Sequence, residues 1–308
     1  MDKKLIGIDI GGSKVQVGLM DKELNLLDEN KVVIIGLSKD KIIDYAEESI
    51  FKILNKNKLS KTDIELIGIS TPSVINEERD TILWSPNLPG WENFNVKEYF
   101  SKKFETEVLL ENDLNAAAVA EYEKEYKSKT KNIVFISIGT GIGAGIIINK
   151  ELYRGENGLA GSIGWFINDV SQVKKERKNS TSGWLELNSS GVYFNSKISK
   201  SEKFNSKEEN YSYPKKVIES YKNGDVNAKA IVDKMLLAIG IAISNIVSLL
   251  DIGTIIIGGS IGMDLAFSFD YLKSVIKSNA QPFAAKEVNI YLSNLKNASL
   301  IGSVVRHN

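Results

Sequence analysis

Leu5-Ile-Gly-Ile-Asp-Ile-Gly-Gly-Ser-Lys14 is a short apolar alternation that breaks at paired glycines, and Val15 to Met20 resumes it. The pattern predicts a strand, a tight turn and a second strand. Lys31 to Ile35 reads as a third strand, with Asp21 to Asn30 as the connection. The same order returns later in the chain. Asn132 to Ile138 is apolar, Gly139-Thr-Gly-Ile-Gly-Ala-Gly145 interrupts it, and Ile146 to Ile148 resumes. Two halves that each open as strand, glycine turn and strand point to two related α/β domains.

Between these landmarks, Lys41 to Lys56 has apolar residues at helical spacing. Ile64 to Ser70 reads as a strand ending at Thr71-Pro72, and Pro86 to Trp91 as a loop. Val108 to Leu110 is a short strand entering Glu111-Asn112-Asp113. An alanine-rich helix follows, with Asn112 or Asp113 as its N-cap. Ser171 to Ser182 is polar and reads as a surface loop, and Val192 to Pro214 as loops and short helices. Asn227 to Leu250 predicts a long helix, and Thr254 to Ile257 a buried strand ending at Gly258-Gly259-Ser260. Met235 to Leu250 carries no charge, but it falls short of the roughly 20 residues a bilayer needs. It reads as a core helix.

Composition removes several function classes. The 308 residues hold 39 Lys and Arg against 39 Asp and Glu, which disfavours nucleic-acid or membrane-surface binding. There is no cysteine, so no disulfide, thiol nucleophile or Cys-ligated zinc. The single histidine, His307, is penultimate, a position where chains are often mobile. Catalysis must therefore use carboxylates, hydroxyls, lysines and backbone amides. Arginine is scarce: Arg79, Arg154, Arg177 and Arg306. The N-terminus does not read as a signal peptide, and the expected location is the cytoplasm.

Three glycine turns follow apolar strands, at Gly11-Gly12-Ser13-Lys14, Gly139 to Gly145 and Gly258-Gly259-Ser260. Glycine lets the backbone approach a ligand closely, and runs of N–H groups in such turns bind anions. Together they point to nucleotide phosphates. None is a Walker A loop, and none opens a helix as a Rossmann fingerprint does. Asp9, just before the first turn, is a candidate Mg²⁺ ligand, directly or through water. A bond to its own turn is the alternative. At Glu111-Asn112-Asp113 a carboxylate could take a hydroxyl proton, or the residues could simply cap the helix.

The chain resembles the ROK family (repressor, open reading frame, kinase). The resemblance lies in Asp9 to Lys14, Pro86-Asn-Leu-Pro-Gly-Trp91, Glu111-Asn-Asp-Leu-Asn-Ala-Ala-Ala118 and Ile138 to Gly145. Tyr153-Arg-Gly-Glu-Asn-Gly-Leu-Ala-Gly161 and Ile256-Ile-Gly-Gly-Ser260 continue it. The resemblance implies an actin-like, hexokinase-type (ribonuclease H-like) α/β fold with two lobes around an ATP and sugar cleft. It implies lobes of 1–117 plus about 293–308, and of 118–292, with a last helix within Leu295 to Val305. It also implies Mg²⁺-dependent phosphorylation of a sugar 6-hydroxyl, and a homodimer.

By position, Asp113 matches the family's catalytic base, Asn112 and Asn87 its sugar ligands, and Ser73 a position of the sugar loop. Gly11, Gly12, Ser13 and Lys14 match the first phosphate loop. Gly139, Thr140, Gly141 and Gly143 match the second, and Gly258 and Gly259 the adenosine loop. Gly183-Trp-Leu-Glu186 makes Glu186 a sugar-binding carboxylate. Two departures stand out. The family's Glu-x-Gly-His is Ser162-Ile-Gly-Trp165 here, and its zinc-binding cysteines are absent. No zinc is therefore expected. Ser162 and Trp165 replace polar sugar contacts with a small hydroxyl and an apolar indole. That favours an N-acetylated sugar, with N-acetylmannosamine as the specific expectation. Glucose or N-acetylglucosamine, a non-catalytic sugar sensor, and an actin-like ATPase without a sugar substrate are the alternatives. The family's repressors carry an N-terminal helix-turn-helix. With a first strand at Leu5, DNA binding is not expected.

Overall fold

The computed structural model describes residues 3–76, 80–85, 88–170, 182–198 and 212–307. The chain divides into two compact units. One comprises Met1–Lys131, Gly145–Ala160 and Leu295–Asn308, the other Asn132–Ala144 and Gly161–Asn294. In chain order the elements begin with β1 (Lys4–Ile10), β2 (Lys14–Met20), β3 (Leu26–Val33), α1 (Lys39–Lys56) and β4 (Ile64–Thr71). Then come β5 (Val74–Asn76), β6 (Thr81–Trp84), α2 (Val96–Phe104), β7 (Glu107–Asn112) and α3 (Asp113–Glu121). Next are β8 (Ile133–Ile138), β9 (Ile142–Ile148), β10 (Glu151–Leu152), α4 (Glu186–Ser189), α5 (Gly191–Ile198) and α6 (Ser212–Lys222). The chain ends with α7 (Val226–Leu250), β11 (Thr254–Gly258), α8 (Phe269–Asn279), α9 (Pro282–Lys286), β12 (Asn289–Leu292) and α10 (Ala298–Gly302).

The sheet of the first unit runs β3-β2-β1-β4-β7. β1 is antiparallel to β2 and parallel to β4, which is parallel to β7. Strand side chains alternate between faces. Ile6, Ile8, Ile10, Val15, Val17, Leu19, Ile67 and Ile69 line one face and pack with Ile43, Ile50 and Leu54 of α1 and Phe100 and Phe104 of α2. The other face of β1 carries Gly7 and Asp9. Gly7 pairs with Gly18 on one side and with Gly68 on the other, so three strands present bare backbone in one row. α10 and its flanking residues lie in that groove. Cβ atoms at Gly7 and Gly18 would meet Leu300, and one at Gly68 would meet the backbone of Ser303. Gly302 in turn rests against the Ala116 carbonyl of α3.

The third strand begins earlier than the sequence reading placed it. β3 starts at Leu26, and the connection is only Asp21 to Asn25, closed by an Asn25 N–H donating to Asp21 Oδ1 at 2.8 Å. The polar run Asp28 to Lys31 hid the strand. It lies at the sheet edge, where every second residue faces solvent.

The second sheet runs β10-β9-β8-β11-β12, with β8, β11 and β12 parallel. α7 is long and apolar enough to cross a membrane, but 61% of its most apolar stretch is buried inside the fold, as in a core helix. Gly240 sits directly against Val275 of α8. Residues 171–181 and 199–211, which include most of two segments read as loops, lie outside the described residues.

Gly68→Ala tests the groove. A methyl group there collides with Ser303 backbone rather than with a flexible side chain. The substitution is expected to cost about 1–3 kcal/mol, read from the urea midpoint at unchanged m-value.

Candidate active site

In the first unit the register brings chemistry to the carboxyl ends of three parallel strands, where open α/β sheets hold their ligands. Asp9 pairs with Ser70, Ser70 with Glu111, and Thr71 with Asn112. Ser70 Oγ donates to Asp9 Oδ1 at 3.0 Å. Both Asp9 and Asp113 are densely surrounded yet keep partial solvent access. Burial pushes Asp9 above its ordinary 3.8, against hydrogen bonds from Ser70 and Ser299 and the charge of Lys14. Asp113 is pushed from 3.8 up to about 7, first by burial and then by the negative charge of Asp9. Two crowded carboxylates in one field cannot both ionise readily.

Asn112 is the N-cap of α3. Its Oδ1 accepts from the Leu114 and Asn115 N–H groups at 2.9 and 3.3 Å, and its Nδ2 donates to the Ser73 carbonyl at 3.2 Å. Ser73 is buried beside Thr71, their hydroxyls 3.1 Å apart. The first glycine turn is closed by the Gly11 N–H donating to the Lys14 carbonyl at 3.0 Å. Ser13 ties the turn to the end of β3 by accepting from Ile34 N–H. Asn87 lies outside the described residues.

Glu111 sits beneath this pair as a buried hub. Its Oε1 accepts from Asn112 N–H at 2.8 Å and from Asn115 Nδ2 at 2.9 Å. Its Oε2 accepts from Arg154 Nε and Nη2, at 3.0 and 2.8 Å, and pairs with His307 Nε2 at 3.0 Å. Burial pushes the Glu111 carboxyl up. The His307 hydrogen bond, the Arg154 charge and Asn115 outweigh it and hold the group below its ordinary range. The expectation of a mobile His307 is corrected: its side chain is 14% exposed and anchored. Sequence reasoning named Glu111 only within the Glu111-Asn112-Asp113 run and gave Arg154 and His307 no place in the site. The available signal was rarity, one histidine and four arginines in 308 residues.

In the second unit, the other two glycine turns follow β8 and β11, which are parallel neighbours. The Gly139 N–H donates to the Gly141 carbonyl at 2.9 Å. The Gly191 and Val192 N–H groups at the start of α5 donate to the Gly139 and Thr140 carbonyls at 2.8 and 3.2 Å. The Gly258-Gly259 turn lies against Ile138. Gly259 has φ +84°, and a Cβ there would strike the Ile138 backbone, so this position requires glycine. The other glycines of the three turns do not use positive φ, so close packing or ligand approach accounts for them instead.

Glu186 belongs to this cluster. Its Oε2 accepts from the Ile142 N–H at 3.2 Å, and a Cβ at Gly141 would displace this carboxylate. Ser162 leads into the short helical turn Ile163–Trp165, and Gly164 packs against Gly183 backbone and the Glu186 Cβ. Trp165 is 49% exposed. The structure thus brings 139–142, 162–165 and 183–186 together in one unit, and Asp9, Asn112, Asp113 and Ser73 together in the other. Among the described residues, no group of three or more His, Cys, Asp or Glu is arranged to hold a metal ion.

A profile of the ROK family matches residues 5–305. The chain is 28% identical to a xylose repressor of Caldicellulosiruptor bescii, over 96% of this chain and 76% of the repressor. It is also 28% identical to an N-acetylmannosamine kinase of Haemophilus influenzae, over 84% of this chain and 81% of that one. A ROK family glucokinase from Streptomyces griseus, solved with glucose and AMPPNP, superposes with a TM-score of 0.74 at 23% identity. That match covers 98% of both chains.

The raised Asp113 carboxyl makes a stability prediction. The folded state holds this proton between the ordinary value of 3.8 and about 7, while the unfolded chain releases it. The contribution of Asp113 to stability is therefore full below pH 3.8 and is lost as pH rises to about 7. Asp113→Asn, without nucleotide or metal, should match the wild type near pH 4. It should exceed it by about 1–3 kcal/mol at pH 8, a range discounted for partial solvent access. Denaturant unfolding at the two pH values measures this.

Proposed function

The chain belongs to the ROK family, whose actin-like fold it shares, and on that premise we propose that it is an ATP-dependent sugar kinase. The reaction is transfer of the γ-phosphoryl group to the 6-hydroxyl of a hexose or N-acetylhexosamine, with N-acetylmannosamine as the specific substrate. One observation carries the reading. Asp113 stands at the start of α3 with a carboxyl raised to about 7, the value a general base needs near neutral pH.

Asp113 takes the hydroxyl proton and aligns the oxygen for attack. Phosphoryl transfer asks mainly for positioning and charge stabilisation. Backbone amides of the first two glycine turns hold the phosphates, and the turn at Gly258-Gly259 receives the adenosine. Asp9 has the hard anionic oxygen that suits Mg²⁺ and is partly accessible to it. When bound, that ion neutralises charge on the phosphates. Glu186 and Asn112, with Asn87, bind sugar hydroxyls. Ser162 and the half-exposed Trp165 offer an apolar surface to an N-acetyl group. The same reading expects a cytoplasmic homodimer.

A second reading has its own support. The repressor relative aligns with 96% of this chain, and Glu186 already occupies the Ile142 amide of the second turn. On that reading the protein senses sugar without turning it over.

Coupled ADP release with Mg-ATP separates the two. The panel is N-acetylmannosamine, N-acetylglucosamine, glucose, mannose, fructose and no sugar. Release is expected with N-acetylmannosamine and not without sugar. Asp113→Asn is expected to lower kcat by about 10²- to 10⁴-fold. kcat/KM should rise tenfold per pH unit up to about 7 and then level, because the base must be ionised. A preference for glucose would sink the specificity argument alone. Sugar binding by calorimetry with no sugar-dependent ADP release would establish the sensor.

A further inference from the structure

Asp113 does not stand on a free loop. Its N-terminal neighbours, Asn112 and Glu111, are fastened to a buried hub, and one arm of that hub is the end of the chain. Glu111 is 7% exposed. Its Oε1 holds the Asn112 N–H, on the residue just before Asp113, and also the Asn115 side chain one turn into α3. Those two bonds set where α3 begins and so where Asp113 points. Its Oε2 is held from outside by Arg154 and His307.

An ionised carboxylate only accepts hydrogen bonds, so His307 Nε2 must carry a hydrogen. His307 Nδ1 is buried and has no partner among the described residues. Nε2 is therefore the ring nitrogen through which the side chain holds Glu111. The segment is brought here by α10 in its glycine groove and by Arg306, which pairs with Glu107 at 2.9 Å on the first residue of β7. The imidazole thus spans 196 residues of sequence to reach the strand that delivers Asp113.

We propose that His307 is a positioning residue: through Glu111 it fixes the Asn112–Asp113 segment, so that the carboxy terminus of the chain sets the aim of the base. The kinetic part rests on the reading of Asp113 as a general base, and the structural part does not. The single histidine allows both to be tested, because its ¹⁵N imidazole correlations are unambiguous. In the wild-type protein at pH 7.5 they should show a single state with Nε2 protonated, lost in Glu111→Gln. A ¹³C titration of the Asp113 carboxyl should move by about half a unit or more in His307→Ala. It should return in His307→Gln, whose amide nitrogen can donate from nearly the same place. With an active sugar, His307→Ala should lower kcat about 10-fold with KM for ATP and sugar within about threefold, and His307→Gln should recover most of it. Averaged tautomers in the wild type, or an Asp113 titration unmoved in His307→Ala, would overturn the proposal even if no sugar proves to be a substrate. A lowered melting temperature with kcat and the Asp113 titration unchanged would reduce His307 to a merely structural contact and also overturn it. Absence of turnover in the wild type, with the tautomer and titration results as expected, would overturn the kinase reading and leave the clamp standing.

Discussion

Close backbone packing of α10 on the first sheet is the contact on which the first unit's chemistry depends. Gly7, Gly18 and Gly68 share one register across β2, β1 and β4, and a single side chain in that row would lift the terminal segment away. Because the row is bare, Ser299 comes within reach of Asp9, and His307 reaches Glu111. A packing constraint among residues without side chains therefore governs the environment of two acidic groups. It also explains why β1 alternates isoleucine with glycine and aspartate. One face of the strand builds the core, and the other receives a helix and presents a carboxylate.

Glu111 and Asp113 are two residues apart and both crowded, yet their carboxyls move in opposite directions. The difference lies in compensation. Glu111 has donors for both oxygens, including a guanidinium, and these overcome its burial. Among the described residues Asp113 accepts only from backbone N–H at its own helix start, and it faces the charge of Asp9, so burial prevails. One carboxylate stays charged and rigid while its neighbour is poised to exchange a proton near neutrality. A carboxyl raised toward neutrality suits the general-base role proposed for Asp113.

In the second unit, the glycine turns after β8 and β11 are tied to α4 and α5 by backbone and carboxylate contacts, with Glu186 at the centre. Of the glycines in these two turns, Gly259 is the one with positive φ. At Gly164 a Cβ would meet the Ile142 carbonyl, so glycine there answers to packing, whereas at Gly141 it would displace only the Glu186 carboxylate. The segment that carries a glutamate and a histidine in the family's usual pattern is a small turn ending in an exposed indole. Its Gly164 packs against Gly183 backbone and the Glu186 Cβ.

Much of this was legible in local pattern. Alternation marked β1, β2, β4 and β8, the 3.6-residue period marked α1, and the glycine turns stood out because nothing else in the chain breaks apolar strands so sharply. Motif order along the whole length was enough to expect the family and the fold. Only the end of β3 was read as strand, because an edge strand needs apolar residues on one face only and its polar start looked like a connection. By itself the sequence determined which residue types are available for chemistry: no cysteine, one histidine, and carboxylates beside glycine turns. It could not tell which of three neighbouring acids would be held charged and which would keep its proton. Nor could it tell that the single histidine would be buried against Glu111. Those outcomes turn on desolvation and on donors drawn from residues as far apart as 111, 154 and 307, and only the folded chain brings such groups within a hydrogen bond of one another.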